Sequence, residues 1–147
     1  MAYVNGFREF LAHLKRDDLL REVSDSISSR LEVTERAWGV GPIFFSDVDG
    51  HKCALNILSN RSLLARALGV PVGEMVPHLA EIGYEGAVHE VNSSSFMECA
   101  SKPDLSRLPI LTYFKGDGGP YITSAVVVSL LGEKINACVH RLMVLGR

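Results

Sequence analysis

The chain has 147 residues, 47% hydrophobic and 22% charged, with 15 basic against 17 acidic side chains and a formal net charge of −2. That is room for one domain, or one domain and part of a second, with enough apolar surface to build a core. The bases are scattered, so there is no phosphate-backbone footprint and no nucleic-acid partner is expected. The longest apolar run, near Ala125–Val128, is too short to span a bilayer, and no signal-peptide core follows the first residues.

Residues 5–15 read as a helix, with Asn5 as its cap and Phe7, Phe10, Leu11 and Leu14 on one face. Leu19–Val23 is a short extended segment. A second helix starts near Ser29 with Leu31, Val33, Thr34, Ala37 and Trp38 on its apolar side, and Gly39 and Gly41-Pro42 end it. Trp38 is read as a core residue. Pro42–Val48 is a strand, Asp49-Gly50 a tight turn, and Cys53–Leu58 the returning strand. Asp47 and Asp49 flank that turn, where carboxylates accept from nearby backbone, and are read as structural.

Ser59 or Asn60 caps a third helix carrying Leu63, Leu64, Ala67 and Leu68, which Gly69 closes ahead of Pro71. A fourth helix over 72–82 is interrupted or kinked by Pro77. Ala87–Val91 reads as a strand, and Asn92–Lys102 has no clear pattern. Residues 103–120 hold three prolines and three glycines and form a connector. Ile122–Leu131 and Ile135–Leu145 then read as two long strands joined around Gly132-Glu133-Lys134. The expectation is an N-terminal α/β (α+β) domain over 1–103, then a connector and β hairpin over 104–147. Two long apolar strands ask for further strands beside them, which suggests a truncated β structure or a partner that completes it.

The chemistry visible in residue spacing alone is sparse. Cys53, Cys99 and Cys138 are odd in number and far apart, so a disulfide framework or zinc knuckle is not expected; buried reduced thiols in a cytoplasmic protein are. The five histidines show no metal-binding spacing. Gly116-Asp117-Gly118-Gly119 lacks the lysine and the helix of a phosphate loop and reads as a connector. Strand alternation puts Asn136, Cys138 and His140 on one face and Ala137, Val139 and Arg141 on the other. A bulge would be needed to bring Asn136 and Arg141 to one site. Without one, Asn136 is a turn residue and Arg141 a solvated charge, and periodicity alone favours that plain reading.

Two stretches carry a resemblance. Asp104-Leu105-Ser106-Arg107-Leu108-Pro109, followed by Gly116-Asp117-Gly118-Gly119-Pro120-Tyr121-Ile122-Thr123, resembles the UbiD-like decarboxylase family. Asn136-Ala137-Cys138-Val139-His140-Arg141 resembles that family's N-x-x-x-Y-R motif. Phe7–Leu14, Leu31–Val33, Ile43–Gly50 and Asn56–Gly69 resemble its N-terminal segments, so the likeness covers essentially the whole chain.

The resemblance implies the first strands of an FMN-binding split β-barrel after the N-terminal domain. It implies a carboxy-lyase dependent on prenylated FMN and Mn²⁺, with K⁺ a further candidate, acting reversibly on an aromatic or α,β-unsaturated carboxylic acid. Asn136 falls where the family has a metal ligand, and an amide oxygen suits a hard cation. Thr123, Val139, His140 and Arg141 fall along the flavin. Arg141 matches the arginine of the catalytic network, where its fork suits a carboxylate. His140 stands where tyrosine is common. The network's acidic members and the remaining metal ligands lie downstream in the family, so this chain alone is expected to be inactive. A cytoplasmic homo-oligomer supplied by a flavin prenyltransferase is also implied. The alternative is a non-catalytic subunit or remnant that binds a partner polypeptide through its unfinished sheet edge.

Overall fold

The computed structural model describes residues 6–83, 91–132 and 134–145. The elements in chain order are α1 (Phe7–Arg16), β1 (Arg21–Ile27), α2 (Glu32–Ala37), β2 (Ile43–Val48), β3 (His51–Leu55), α3 (Arg61–Leu68), α4 (Met75–Glu81), β4 (Tyr121–Leu131) and β5 (Lys134–Met143). Helices and strands mix as an α/β chain should. The residues divide into two compact units, 1–20 with 57–103, and 21–56 with 104–147.

The second unit holds both sheets. One has the order β1-β2-β3, with β1 and β2 parallel and β2 and β3 antiparallel; the other is the β4-β5 ribbon. A parallel pair needs a crossover, and α2 lies within that connection. Ile27, Val33, Ala37, Ile43, Phe45, Val48 and Leu111 form the buried core of this unit, with Phe45, Ile43, Val33 and Val48 fully enclosed. Leu111 comes from the connector. It is held there because the Leu31 N–H donates to the Thr112 carbonyl at 2.9 Å and the Tyr121 N–H to the Leu111 carbonyl at 2.9 Å. The apolar island at Ile110–Leu111 is therefore a core anchor inside an otherwise irregular segment.

The turn between β2 and β3 is built as the sequence demands. Asp49 and Gly50 both have positive φ, +51° and +85°. Asp47 accepts from the Gly50 N–H at 2.8 Å, and Asp49 from the Ser29 N–H at 2.9 Å. Both carboxylates are thus structural, and the hydrogen bonding from Ser29 holds the Asp49 carboxyl below its ordinary range. β3 ends at Leu55 instead of Leu58, because Asn56 turns into the left-handed region at φ +59°. Its side-chain amide then donates to the carbonyls of Ala37 and Val40, both at 2.8 Å. Those two bonds tie the end of β3 to the end of α2, where carbonyls lack helical partners.

In the first unit, α1 buries Phe10 and Leu14, α3 buries Leu63 and Ala65, and α4 buries Met75. Asn60 caps α3 by accepting from the Leu63 N–H at 3.0 Å, and Gly69 closes it at φ +73°. Arg66 donates to Asp17, which also pairs with Arg16 at 2.9 Å; these partners, Arg16 foremost, hold the Asp17 carboxyl low.

Several expectations are corrected. The helix expected over 72–82 is a 3-10 turn at Val72–Glu74 leading into α4. Pro77 is the third residue of α4, in a first turn whose N–H groups have no helical acceptor, so its ring interrupts nothing. Trp38 is 72% exposed rather than core. α2 stops at Ala37 and Trp38 is extended, so it leaves the face that Val33 and Ala37 bury. The cysteines are not buried either: Cys99 is exposed and Cys53 and Cys138 are half-buried. The cap expected at Asn5 lies outside the described residues, as do all of the strand expected over Ala87–Val91 except Val91, which is not in a strand, and Glu133 in the ribbon's turn.

Candidate functional site

The connector brings the chain into β4 through a set of local bonds. Asp104 accepts from the Ser106 N–H at 3.0 Å and its hydroxyl at 2.6 Å, opening a 3-10 turn over Leu105–Arg107. Asp117 accepts from the Phe114 N–H at 3.0 Å, and its own N–H returns to the Phe114 carbonyl at 3.0 Å. Phe114–Asp117 is thus a closed turn at the head of the Gly116–Gly119 loop. The loop lies close to the end of β5: a Cβ on Gly118 would stand 3.1 Å from the Met143 sulfur, and one on Gly119 3.4 Å from the Val144 carbonyl. The Val144 N–H donates to Pro120 at 2.9 Å, which fixes where β4 begins relative to where β5 ends.

β4 and β5 pair antiparallel from Tyr121↔Met143 to Leu131↔Lys134. The register shifts once, between Ile122↔Leu142 and Ala125↔His140, so the extra residue lies on β4 at Thr123–Ser124. β5 itself alternates without interruption. Asn136 and His140 therefore share one face with Cys138, and His140 Nε2 lies 3.0 Å from the Cys138 sulfur. Val139 and Arg141 occupy the other face. The bulge that would unite Asn136 with Arg141 on one side of the ribbon is not on their strand.

Arg141 sets its guanidinium over the Tyr121 ring, 4.9 Å from the centroid, a cation–π contact that fixes the direction of its fork. Thr123 Oγ1 lies 2.8 Å from the Tyr113 hydroxyl. Thr123, Tyr113 and Tyr121 all line one cavity of about 520 Å³, together with Cys53–Leu55 of β3, Asn56 just beyond it, and Leu108–Leu111 of the connector. Thr123 and the partner of Arg141 thus reach a common cavity, while Asn136 and His140 lie on the ribbon's opposite face. Sequence reading missed Tyr113 and Tyr121 as parts of this arrangement. Tyr121 was visible inside the quoted motif, but its contact with Arg141 depends on cross-strand register.

Asn136 is exposed, and its side-chain amide makes no hydrogen bond among the described residues, which leaves its oxygen available to a hard cation. Among the described residues, no group of three His, Cys, Asp or Glu side chains is placed to hold a metal ion. One ligand of such a shell fits here; a complete shell does not. No described helix is long and apolar enough to cross a membrane.

The chain has counterparts among known proteins along nearly its whole length. The N-terminal domain model of 3-octaprenyl-4-hydroxybenzoate carboxy-lyase matches residues 11–82, and the Rift-related domain model of the same enzyme class matches residues 88–147. The chain belongs to the UbiD family. The anhydromevalonate phosphate decarboxylase of Methanosarcina mazei is 40% identical over 143 residues, 96% of this chain and 34% of that protein. The UbiD-class enzyme HmfF of Pelotomaculum thermopropionicum, solved in complex with FMN, is 30% identical with a TM-score of 0.82, over 95% of this chain and 34% of that one. An evolved dimeric form of the same enzyme, in complex with prFMN, is 27% identical with a TM-score of 0.74, over 95% of this chain and 36% of that one. The chain thus spans about a third of the length of these relatives.

Proposed function

We propose that the chain supplies the N-terminal domain and one edge of the cofactor site of a prenylated-FMN-dependent, Mn²⁺-dependent reversible decarboxylase. The observation that carries this is the 40% identity to a decarboxylase over 96% of the chain. Its substrate is an α,β-unsaturated or aromatic acid, and the likeness to an anhydromevalonate phosphate decarboxylase favours a phosphorylated one. Prenylated FMN, when bound, supplies the electron sink for loss of CO₂. The protein's task is then to orient the acid and hold the cofactor.

Arg141, steered by Tyr121, offers two parallel N–H donors to the substrate carboxylate or to an acidic network partner. Thr123, Val139 and His140 line the path of the flavin. Asn136 offers one oxygen to Mn²⁺, and K⁺ is a second ion of the same hard class. Asn136 and His140 lie on one face of the ribbon and Val139 and Arg141 on the other, so the proposed flavin path runs past both faces of β5. The domain boundary at 103/104, the split barrel, the homo-oligomer, the cytoplasmic setting and a flavin prenyltransferase as cofactor supplier belong to the same reading.

The described residues hold neither a complete metal shell nor an acid placed beside Arg141, so the 147-residue chain is proposed to be inactive alone. The test is to incubate it with prenylated FMN, Mn²⁺ and a phosphorylated unsaturated acid and to measure CO₂. No release is expected; steady turnover overturns the proposed division of the site. A second reading, a non-catalytic subunit that binds a partner polypeptide, draws on the ribbon's apolar face. Val126, Val128, Leu130, Ile135 and Val139 lie there and are each more than 60% exposed. A monodisperse monomer by light scattering, with no partner captured, counts against that reading.

A further inference from the structure

On β5, His140 stands opposite Ala125 and Cys138 opposite Val127. Ala125 offers only a methyl group there, too small to hold an imidazole. The ring leans instead along its own strand toward Cys138, two residues back on the same face, and Nε2 comes to 3.0 Å from Sγ. The Cys138 thiol in turn donates across the ribbon to the Val127 carbonyl, with sulfur and oxygen 3.7 Å apart. Cys138 is half-buried and His140 exposed, so the inner end of this chain of contacts is set against the ribbon and its outer end is open.

The thiol has one hydrogen, and its direction decides which ring nitrogen carries the other. Given to Val127, it leaves sulfur as the acceptor and Nε2 as the donor, and two hydrogen bonds are made. Given to Nε2, it leaves the Val127 contact unmade and moves the ring hydrogen to Nδ1, for one bond. Thiol hydrogen bonds are weak, but two that need no further ordering of either side chain outweigh one. In the favoured arrangement Nδ1 is a bare acceptor, and it has no partner among the described residues.

We propose that Cys138 is a positioning residue for His140. It holds the neutral imidazole as the Nε2–H tautomer and presents Nδ1 to accept from an N–H or O–H group of the bound flavin. A ring nitrogen's role is set in this way by the bond the other nitrogen makes. The flavin half of the proposal rests on the decarboxylase reading; the thiol–imidazole half does not.

The thiol–imidazole half is read on the full 147-residue chain by long-range proton–nitrogen NMR correlation. At about pH 7.5 an ordinary imidazole is mostly neutral and an ordinary thiol mostly protonated. His140 is picked out of the five histidines by the signal missing in His140→Asn. Nε2–H is expected as nearly the sole form in the native chain and in Cys138→Ser, whose hydroxyl keeps both donor and acceptor. A larger Nδ1–H fraction is expected in Cys138→Val. Nδ1–H as the main form in the native chain, or a tautomer ratio unchanged in Cys138→Val, overturns the proposal. The flavin half is read as FMN affinity, by flavin fluorescence quenching with Mn²⁺ present. The protein is a chimera carrying residues 1–147 in place of the matched third of the Methanosarcina mazei relative. Asparagine sets its oxygen near the place of Nδ1, and glutamine reaches toward that of Nε2. His140→Asn is therefore expected to keep FMN affinity within about twofold, and His140→Gln and His140→Leu each to lose about fivefold. Cys138→Val is expected to lose about threefold, and Cys138→Ser to keep the native affinity. Equal losses in His140→Asn and His140→Leu, or full affinity in His140→Leu, overturn the flavin role. A chimera that binds no FMN before any substitution overturns the decarboxylase reading and the flavin role with it, while the tautomer result still decides the thiol–imidazole half.

Discussion

Asn56 shows how one residue can hold a junction that no motif reveals. It occupies a left-handed backbone position that asparagine tolerates, and its amide serves two carbonyls at the end of α2. Asn56→Ala removes both bonds and adds backbone strain, so a loss on the order of 2 kcal/mol in urea unfolding is expected. Asn56→Gly removes the bonds but not the permissive backbone and should lose less. Asp49 gives a pH-dependent counterpart. Its folded pKa is lowered by hydrogen bonds from Ser29, so its stabilisation is present above the ordinary carboxylate range and is lost as pH falls through the lower folded value. The urea midpoint of the native chain should therefore fall more steeply on acidification below about pH 4 than that of Asp49→Asn. The turn role of Asp47 was legible in the sequence because its bond from Gly50 is local, whereas the Asp49 carboxylate accepts from Ser29, 20 residues away, a partner no local pattern reveals. The two hydrogen bonds donated by the Asn56 amide were not legible either, since their acceptors lie 16 and 19 residues away. The motif of Asn136 and Arg141 was legible as a string of residues. Which face each occupies was fixed only by the position of the bulge, on the partner strand.

At the scale of elements, helices and strands were legible wherever a cap or turn residue coincided with an apolar period. α3 is bounded by Asn60 and Gly69 as its sequence implies, and β2 and β3 flank Asp49-Gly50. The sequence misled where a chain leaves its period, as at Trp38, or where position within an element matters more than residue type, as at Pro77. Gly50→Ala, at φ +85°, should cost about 1–2 kcal/mol in thermal or urea unfolding, because an L side chain is strained there. The β4-β5 ribbon makes a different prediction. Val128 and Val139 are 66% and 74% exposed, so Val128→Thr with Val139→Thr removes little buried surface. The pair should leave the unfolding midpoint nearly unchanged while reducing concentration-dependent association in light scattering.

For the whole molecule, the order of segments was readable and their grouping was not. Residues 104–147 share a compact unit with 21–56, because Leu111 enters the core around Phe45 and Thr112 bridges to Arg30. Such long-range packing leaves no trace in local periodicity. Family membership came through because two motifs kept their order over a matching N-terminal stretch, and family models now cover 11–82 and 88–147. The central claim is that this chain provides a working edge of a decarboxylase site through Arg141. The most direct test replaces the matched N-terminal third of the Methanosarcina mazei relative with residues 1–147 and measures CO₂ release by the flavin-loaded chimera, with and without Arg141→Ala. The account predicts turnover by the chimera and a loss of about a hundredfold or more on removing the guanidinium, with flavin content retained. Turnover unchanged by Arg141→Ala in a folded, flavin-loaded chimera would contradict it.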